Sequence, residues 1–185
     1  MAAVESNMLP LGTEAPDFEL MDVVSGNYYS IDSLRGEYGL LIMFICAHCP
    51  YVKNLEEEIA IVSRQYADSK IGFAAISSND AAAYPDDAPE GLKKQAEQIE
   101  FKFPYLYDET QAVAKAYQAA CTPDFFLFDE DLKLIYRGRF DASTPGNPEP
   151  VTGDSLIEAI ERHLEDEPMV DPQHPSMGCS IKWKS

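Results

Sequence analysis

Residues 40–45, Leu40-Leu41-Ile42-Met43-Phe44-Ile45, form an uninterrupted apolar run without charge. A run this short and this continuous predicts a central strand buried on both faces. After it the period changes. Val52, Leu55, Ile59, Val62 and Tyr66 recur three and four apart, while Lys53, Glu56, Glu57 and Arg64 fall off that stripe. This is an amphipathic helix running to about residue 66. Around this pair the pattern predicts, in chain order, a loose lead-in over residues 1–13, a first strand over 16–20, a turn at Ser25-Gly26-Asn27 and a second strand over 28–31. A short helical turn follows over 32–36. Beyond the long helix come a strand over 71–77, a polar loop over 78–90 that could border the active site, and a helix marked by Leu92, Ala96 and Ile99. A short strand over 105–107 and a helix over 110–119 precede a hairpin, with strands at 125–128 and 132–136 around Asp129-Glu130-Asp131. Leu156, Ile157, Ile160 and Leu164 mark a last helix.

The tail carries two further patterns. Pro168, Pro172 and Pro175 make residues 168–175 extended. Cys179, Ile181 and Trp183 then alternate with Ser180, Lys182 and Lys184, a period of two. Residues 178–184 are therefore expected to dock as an extended segment with Cys179 turned inward. The domain organisation that follows is a lead-in (1–13), one α/β domain (14–165) and a proline-rich docking tail (166–185).

Chemistry enters where the central strand becomes the long helix, at Cys46-Ala47-His48-Cys49-Pro50. The first N–H groups of a helix lack internal partners and carry partial positive charge. They stabilise a thiolate, the reactive form of cysteine. Proline fits the first helical position, which makes Cys49 the N-cap. A protonated His48 would add positive charge beside both sulfurs. The expectation is that Cys46 is the attacking thiolate, with its pKa depressed, and Cys49 the resolving thiol. Two other readings of these residues stay open: a pair of buried cysteines acting as small hydrophobes, and a zinc or copper site built from Cys46, His48 and Cys49, which would need further ligands.

Composition narrows the setting. The chain has 185 residues, 45% hydrophobic and 25% charged, the profile of a globular protein with a sizeable core. Its formal net charge is −18, which argues against nucleic acid and anionic membrane as partners. No apolar run reaches the length of a membrane span. The N-terminus has neither a basic start nor an apolar h-region, so no signal peptide is read there. A cytoplasmic setting is expected, where four cysteines point to redox work or metal binding rather than structural disulfides.

The element order, the Cys46-x-x-Cys49 spacing, the Cys49-Pro50 pair and the Thr122-Pro123 step before a strand together resemble the thioredoxin fold. In particular the chain is similar to the peroxiredoxin-like branch that includes alkyl hydroperoxide reductase and thiol-specific antioxidant proteins, over roughly residues 14–165. The resemblance implies a central mixed sheet flanked by helices, with an N-terminal β-hairpin and the extended tail appended. His48 in the third place of the loop is similar to oxidising relatives whose loop reads C-P-H-C. The resemblance also implies that Pro123 is cis and that Thr122 and Pro123 face the dithiol and offer backbone to substrates. Cys121 would then lie near the active-site surface.

The departures are specific. Ile45 stands where thioredoxins have Trp, and Leu40 where many carry a buried Asp, so no internal carboxylate base is visible. Cys46 and Ile42 stand where peroxiredoxins place Thr and Pro before the peroxidatic cysteine. The peroxide-steadying Arg has no match. Dithiol exchange needs none of these groups. The reading is a thiol-disulfide oxidoreductase using Cys46 and Cys49 with His48, with Thr122 and Pro123 at the substrate side and Cys121 and Cys179 as additional thiols. No cofactor and no resident metal are expected. The partners are protein or small-molecule disulfides and a thiol reductant. A peroxidase with Cys49 as peroxidatic cysteine, and a non-catalytic metal-binding or copper-delivery protein, are the alternatives. His163 and His174 receive no role.

Overall fold

The structure, a computed structural model, describes residues 3–185. Its elements in chain order are strands β1 (Ala3–Glu5), β2 (Glu19–Asp22) and β3 (Tyr28–Ser30), helix α1 (Ile31–Leu34), strand β4 (Gly39–Phe44), helix α2 (Pro50–Gln65) and strand β5 (Ile71–Ser77). A 3-10 turn (Pro85–Asp87), helix α3 (Pro89–Ile99), strand β6 (Tyr105–Tyr107), helix α4 (Ala112–Ala116) and strands β7 (Cys121–Thr122), β8 (Asp124–Phe128) and β9 (Leu134–Gly138) follow. Helix α5 (Asp154–Leu164) and strand β10 (Met177–Ser180) complete the order.

Strand β4 sits inside a seven-stranded sheet of order β3-β2-β6-β5-β4-β8-β9. It pairs parallel with β5 and antiparallel with β8, and β5 pairs parallel with β6. Both of its faces are covered, which is why its sequence shows no polar alternation. Leu41 and Met43 pack with Val52, Leu55 and Ile59 of α2 and with Leu156 and Ile160 of α5. Leu40, Ile42 and Phe44 enter the opposite cluster, with Tyr117, Phe126 and Phe128. Truncating Leu41 or Ile42 to Ala costs about 2–5 kcal/mol in such a core. The expected α/β architecture, a mixed sheet flanked by helices behind an N-terminal β-hairpin (β2–β3), is the one observed.

Several boundaries move for local reasons. The first strand begins at Glu19 rather than residue 16. Pro16 instead offers its carbonyl to the Tyr117 hydroxyl, and Phe18 is buried with its ring 6.2 Å from that of Tyr117. The helix expected over 110–119 is shortened to α4 because Gln111 and Gln118 both take left-handed backbone conformations (φ 64° and 51°). The last hairpin strand starts at Leu134, after an irregularity at Leu127/Phe128. The lead-in is not loose where the structure describes it: Ala3–Glu5 is a strand, while residues 1–2 lie outside the described residues.

That strand belongs to a second, three-stranded sheet of order β1-β10-β7. The tail thus lies between the two, antiparallel to each, with Cys179 opposite both Ala3 and Thr122. Two glycines permit its approach. A Cβ on Gly138 (φ 128°) would meet the His174 carbonyl oxygen at 2.0 Å, and one on Gly178 would meet the Thr122 carbonyl oxygen at 2.0 Å. Residues 168–175 contain no helix or strand, and Gln173 ties them down by accepting from Arg137 Nη1 (2.8 Å) and donating to the Ile135 carbonyl (2.9 Å). The period-two expectation holds for Cys179 and Ile181, each 3% exposed, and fails for Trp183, which is 44% exposed with Lys115 Nζ 5.6 Å from its ring centroid. The strand ends at Ser180, so the alternation no longer fixes which way Trp183 points. Among the described residues, no helix is long and apolar enough to cross a membrane.

Candidate active site

Cys46 lies just past the end of β4 and Cys49 is the N-cap of α2, with Pro50 in the first turn. The Lys53 N–H donates to the Cys49 carbonyl at 3.0 Å, the first bond of the helix. Both thiols are fully buried and neither is in a disulfide. The Thr122–Pro123 peptide is cis, as the resemblance implied, and Thr122 faces both sulfurs. Its Oγ1 is 3.4 Å from Cys46 Sγ, and its carbonyl accepts from a protonated Cys49 thiol at 3.3 Å.

A carboxylate that sequence reasoning missed organises the other side. Asp87, at the end of the 3-10 turn, is fully buried beneath the loop. Its Oδ1 accepts from the Ala47 N–H (2.8 Å) and the His48 N–H (3.1 Å), and its Oδ2 accepts from Asn79 Nδ2 (2.8 Å) and from the His48 ring at Nδ1. His48 Nδ1 is also 3.8 Å from Cys46 Sγ. The imidazole stacks on Tyr84, centroids 4.8 Å apart, and its buried Nε2 has no hydrogen-bond partner among the described residues. Gln95 of α3 donates to the Cys46 carbonyl at 3.2 Å and accepts from the Tyr105 hydroxyl at 3.0 Å. The polar loop over 78–90 therefore borders the site. Nothing in the sequence separates Asp87 from the exposed Asp86 beside it.

The two sulfurs are polarised in opposite senses. The hydrogen bond to Cys49, then burial and the negative charge of Asp87, hold the Cys46 thiol well above the ordinary range. The hydrogen bond from Cys46 lowers Cys49 to about 4 against its burial, helped by Cys179, Thr122 and the Val52 N–H of the first helical turn. In direction, then, Cys49 is the more acidic of the two thiols. This corrects the expectation of a depressed Cys46. The N-cap position receives the helix's free N–H groups, and Cys46, three residues upstream, receives the carboxylate instead.

The structure brings Cys46, His48, Cys49, Thr122 and Cys179 together. Cys121 does not reach the active-site surface. It is fully buried, its Sγ directed at the Pro123 carbonyl (3.6 Å), and burial and then the Asp124 charge push its thiol far up. Beside Pro123 a cavity of about 410 Å³ opens, lined by Tyr51, Arg139, Ser143, Ser176 and Met177 among others, with no cysteine in its wall. Cys46 Sγ, a His48 ring nitrogen and an Asp87 oxygen all lie within 4.8 Å of one another, three donors of the kind that hold a transition metal.

Several known proteins are similar to this chain. A solved structure of an uncharacterized conserved protein from Geobacillus kaustophilus is 53% identical, with a TM-score of 0.98 over 100% of this chain and 97% of that one. The thioredoxin domain of a thiol-disulfide oxidoreductase from Bacteroides vulgatus shares the fold at 17% identity, with a TM-score of 0.62 over 82% of this chain and 99% of that one. The thiol-disulfide oxidoreductase ResA of Bacillus thuringiensis subsp. konkukian is 25% identical over 157 residues, 85% of this chain and 78% of ResA. The model of the AhpC/TSA family matches residues 11–137, from ahead of β2 to within β9. That match spans most of the sheet, the dithiol loop and the cis-proline, and the chain belongs to the AhpC/TSA family.

Proposed function

We propose that the chain is a thiol-disulfide oxidoreductase acting through Cys46 and Cys49. One observation carries this: two free thiols sit at a strand-to-helix junction, both facing Thr122 at the start of a cis-proline step. The Cys49 thiolate attacks one sulfur of a disulfide and expels the other as thiolate. Cys46 then attacks Cys49 in the mixed disulfide, and the loop closes as Cys46–Cys49. Its proton passes to the departing thiolate, while His48, whose Nδ1 donates to Asp87 and lies 3.8 Å from Cys46 Sγ, holds the loop in place. Asp87 acts through His48 and the loop N–H groups and is a positioning residue. Substrates enter along Thr122 and Pro123, beside which the open cavity lies. ResA, similar over most of this chain, bears the same activity in its name. A cytoplasmic setting, with a thiol reductant as donor, belongs to the same reading and is supported by the cysteine usage.

Turnover with a small aromatic disulfide tests the reading. Cys46→Ser and Cys49→Ser each lose about 100-fold or more, and Cys46→Ser with Cys179 also changed to Ser accumulates a mixed disulfide at Cys49. Normal turnover in either variant would sink the dithiol mechanism.

The depressed Cys49 thiol favours a second reading, peroxide reduction at Cys49. The leading influences on that thiol are hydrogen bonds and burial rather than a cation, so hydrogen peroxide should oxidise it slowly beside small disulfides. Stopped-flow oxidation near the diffusional limit would reverse the ranking. Metal-binding use of Cys46, His48 and Asp87 is tested by metal analysis of protein purified without added metal.

A further inference from the structure

On the reading above substrates enter along Thr122 and Pro123, and here that edge is already taken by β10. Strand β10 pairs antiparallel with β7, Cys179 opposite Thr122 and Ser180 opposite Cys121. The approach is close enough that a Cβ on Gly178 would sit 2.0 Å from the Thr122 carbonyl oxygen. Thr122 is the residue whose carbonyl lies 3.3 Å from Cys49 Sγ. The strand therefore presents a cysteine to Cys49 from the position of a substrate half-cystine. Cys49 and Cys179 lie in the same buried cluster and act on each other's acidity, with Cys179 lowering Cys49 and Cys49 raising Cys179.

The docking is built at several points. The Ser176 N–H donates to Ser6 Oγ (2.8 Å) and the Ile181 N–H to the Ala120 carbonyl (3.1 Å). Past the strand, the Lys182 N–H donates to Asn79 Oδ1 (2.8 Å) and its carbonyl accepts from the Asp80 N–H (2.8 Å). Asn79 also donates to Asp87 under the dithiol loop. Cys179 lies beyond the residues the family model matches.

We propose that Cys179 is a third redox thiol and β10 a substrate strand supplied by the chain itself, so that the oxidised protein forms an intramolecular Cys49–Cys179 disulfide. The inference rests on the dithiol reading above. The Cys179 sulfur, as thiolate, attacks Cys49 Sγ of the Cys46–Cys49 disulfide; the Cys49–Cys179 bond forms and the Cys46–Cys49 bond breaks. Cys46 leaves as thiolate and takes up the proton Cys179 gave away. No oxidant is consumed, because one disulfide and one thiol become another disulfide and another thiol. The proton balance favours the step. In the reduced protein burial, then the hydrogen bond and charge of Cys49, push Cys179 up to about 12, while Lys182 opposes them. With Cys49 in a disulfide its charge is gone and Lys182 remains. Cys46, the thiol held high beside Asp87, is the natural acceptor of that proton.

The test is disulfide mapping of the full chain after treatment with oxidised glutathione and acid quench. In Cys46→Ser, Cys49 takes one glutathionyl group and expels glutathione; Cys179 then expels the second, leaving a Cys49–Cys179 cross-linked peptide. In Cys46→Ser/Cys179→Ser the glutathione adduct at Cys49 persists, at least about tenfold above its level in Cys46→Ser, because a tethered thiol acts at high effective concentration. A stable Cys49–glutathione adduct in Cys46→Ser, with Cys179 open to alkylation, overturns the proposal. Should the variant fail to fold, oxidised wild type decides. It contains the Cys49–Cys179 peptide beside Cys46–Cys49, and absence of that peptide overturns the proposal. Wild type that yields neither a Cys46–Cys49 nor a Cys49–Cys179 cross-link removes the dithiol reading, and this inference with it.

Discussion

The dithiol has two flanks, and they do opposite things to it. The loop flank, residues 78–90, brings a carboxylate: Asp87 takes four hydrogen bonds from Asn79, His48 and the loop backbone, and its charge falls on Cys46. The tail flank, β7 with β10, brings donors: Cys179 and Thr122 both lower Cys49. Two sulfurs three residues apart, equally buried, are made unequal by what reaches them from elsewhere in the chain. Burial alone would raise both; the partners decide the sign.

The flanks also differ in how they treat their own acids. Asp124, on the tail flank beside Pro123, accepts from Ser6 Oγ at 2.8 Å, and its second oxygen has no partner among the described residues. Burial pushes it up to about 7, from an ordinary value of 3.8. The folded state thus holds a proton that the unfolded state releases between these values. Its contribution to stability is full below about pH 4 and is lost as pH rises through about 7, on the order of 4 kcal/mol at most. Asp124→Asn should flatten that part of the stability profile in denaturant titrations at pH 5 and pH 8. An unchanged difference between the two pH values would show that Asp124 does not carry this proton.

Asp87→Asn breaks the loop flank. The amide cannot accept at both oxygens, so it meets His48 and Asn79 donor to donor, at a cost of about 1–3 kcal/mol. With the charge gone the Cys46 midpoint falls, read from alkylation rate against pH. A midpoint that stays put would mean Asp87 is structural only. Next in size, Cys49→Ser should cut alkylation near pH 6 by about tenfold. Its advantage in thiolate fraction is partly offset by the lower nucleophilicity of an acidic thiol. Cys46→Ser retains the rapid component. The smallest effect belongs to Cys179→Ala, which removes one of several donors to Cys49 and raises its midpoint by less than about one unit.

The residues that act locally are legible in the sequence. The apolar run of β4, the stripe of α2, Pro50 at the first turn and the alternation around Cys179 each state their role within a few neighbours. The Thr122–Pro123 step needed the family resemblance to be recognised. What the chain does not spell out is which distant group arrives. Asp87 comes to the dithiol from a polar loop some 40 residues on, and Ala3–Glu5 forms a strand only because β10 lies beside it. Short strands and buried acids of this kind carry no period of their own. The direction of polarisation follows from the same limit, since it is set by Asp87 and Cys179 rather than by the Cys-x-x-Cys spacing.

The place of β10, between β1 and β7, has a consequence for biogenesis. The ribosome delivers Cys46 and Cys49 well before the strand that covers them. At ordinary elongation rates the roughly 130 intervening residues take on the order of 10 s to appear. For that interval a nascent chain carries its dithiol uncovered, open to the thiol pool around it, and the covering strand arrives on a pair of sulfurs whose oxidation state that pool has already had time to set.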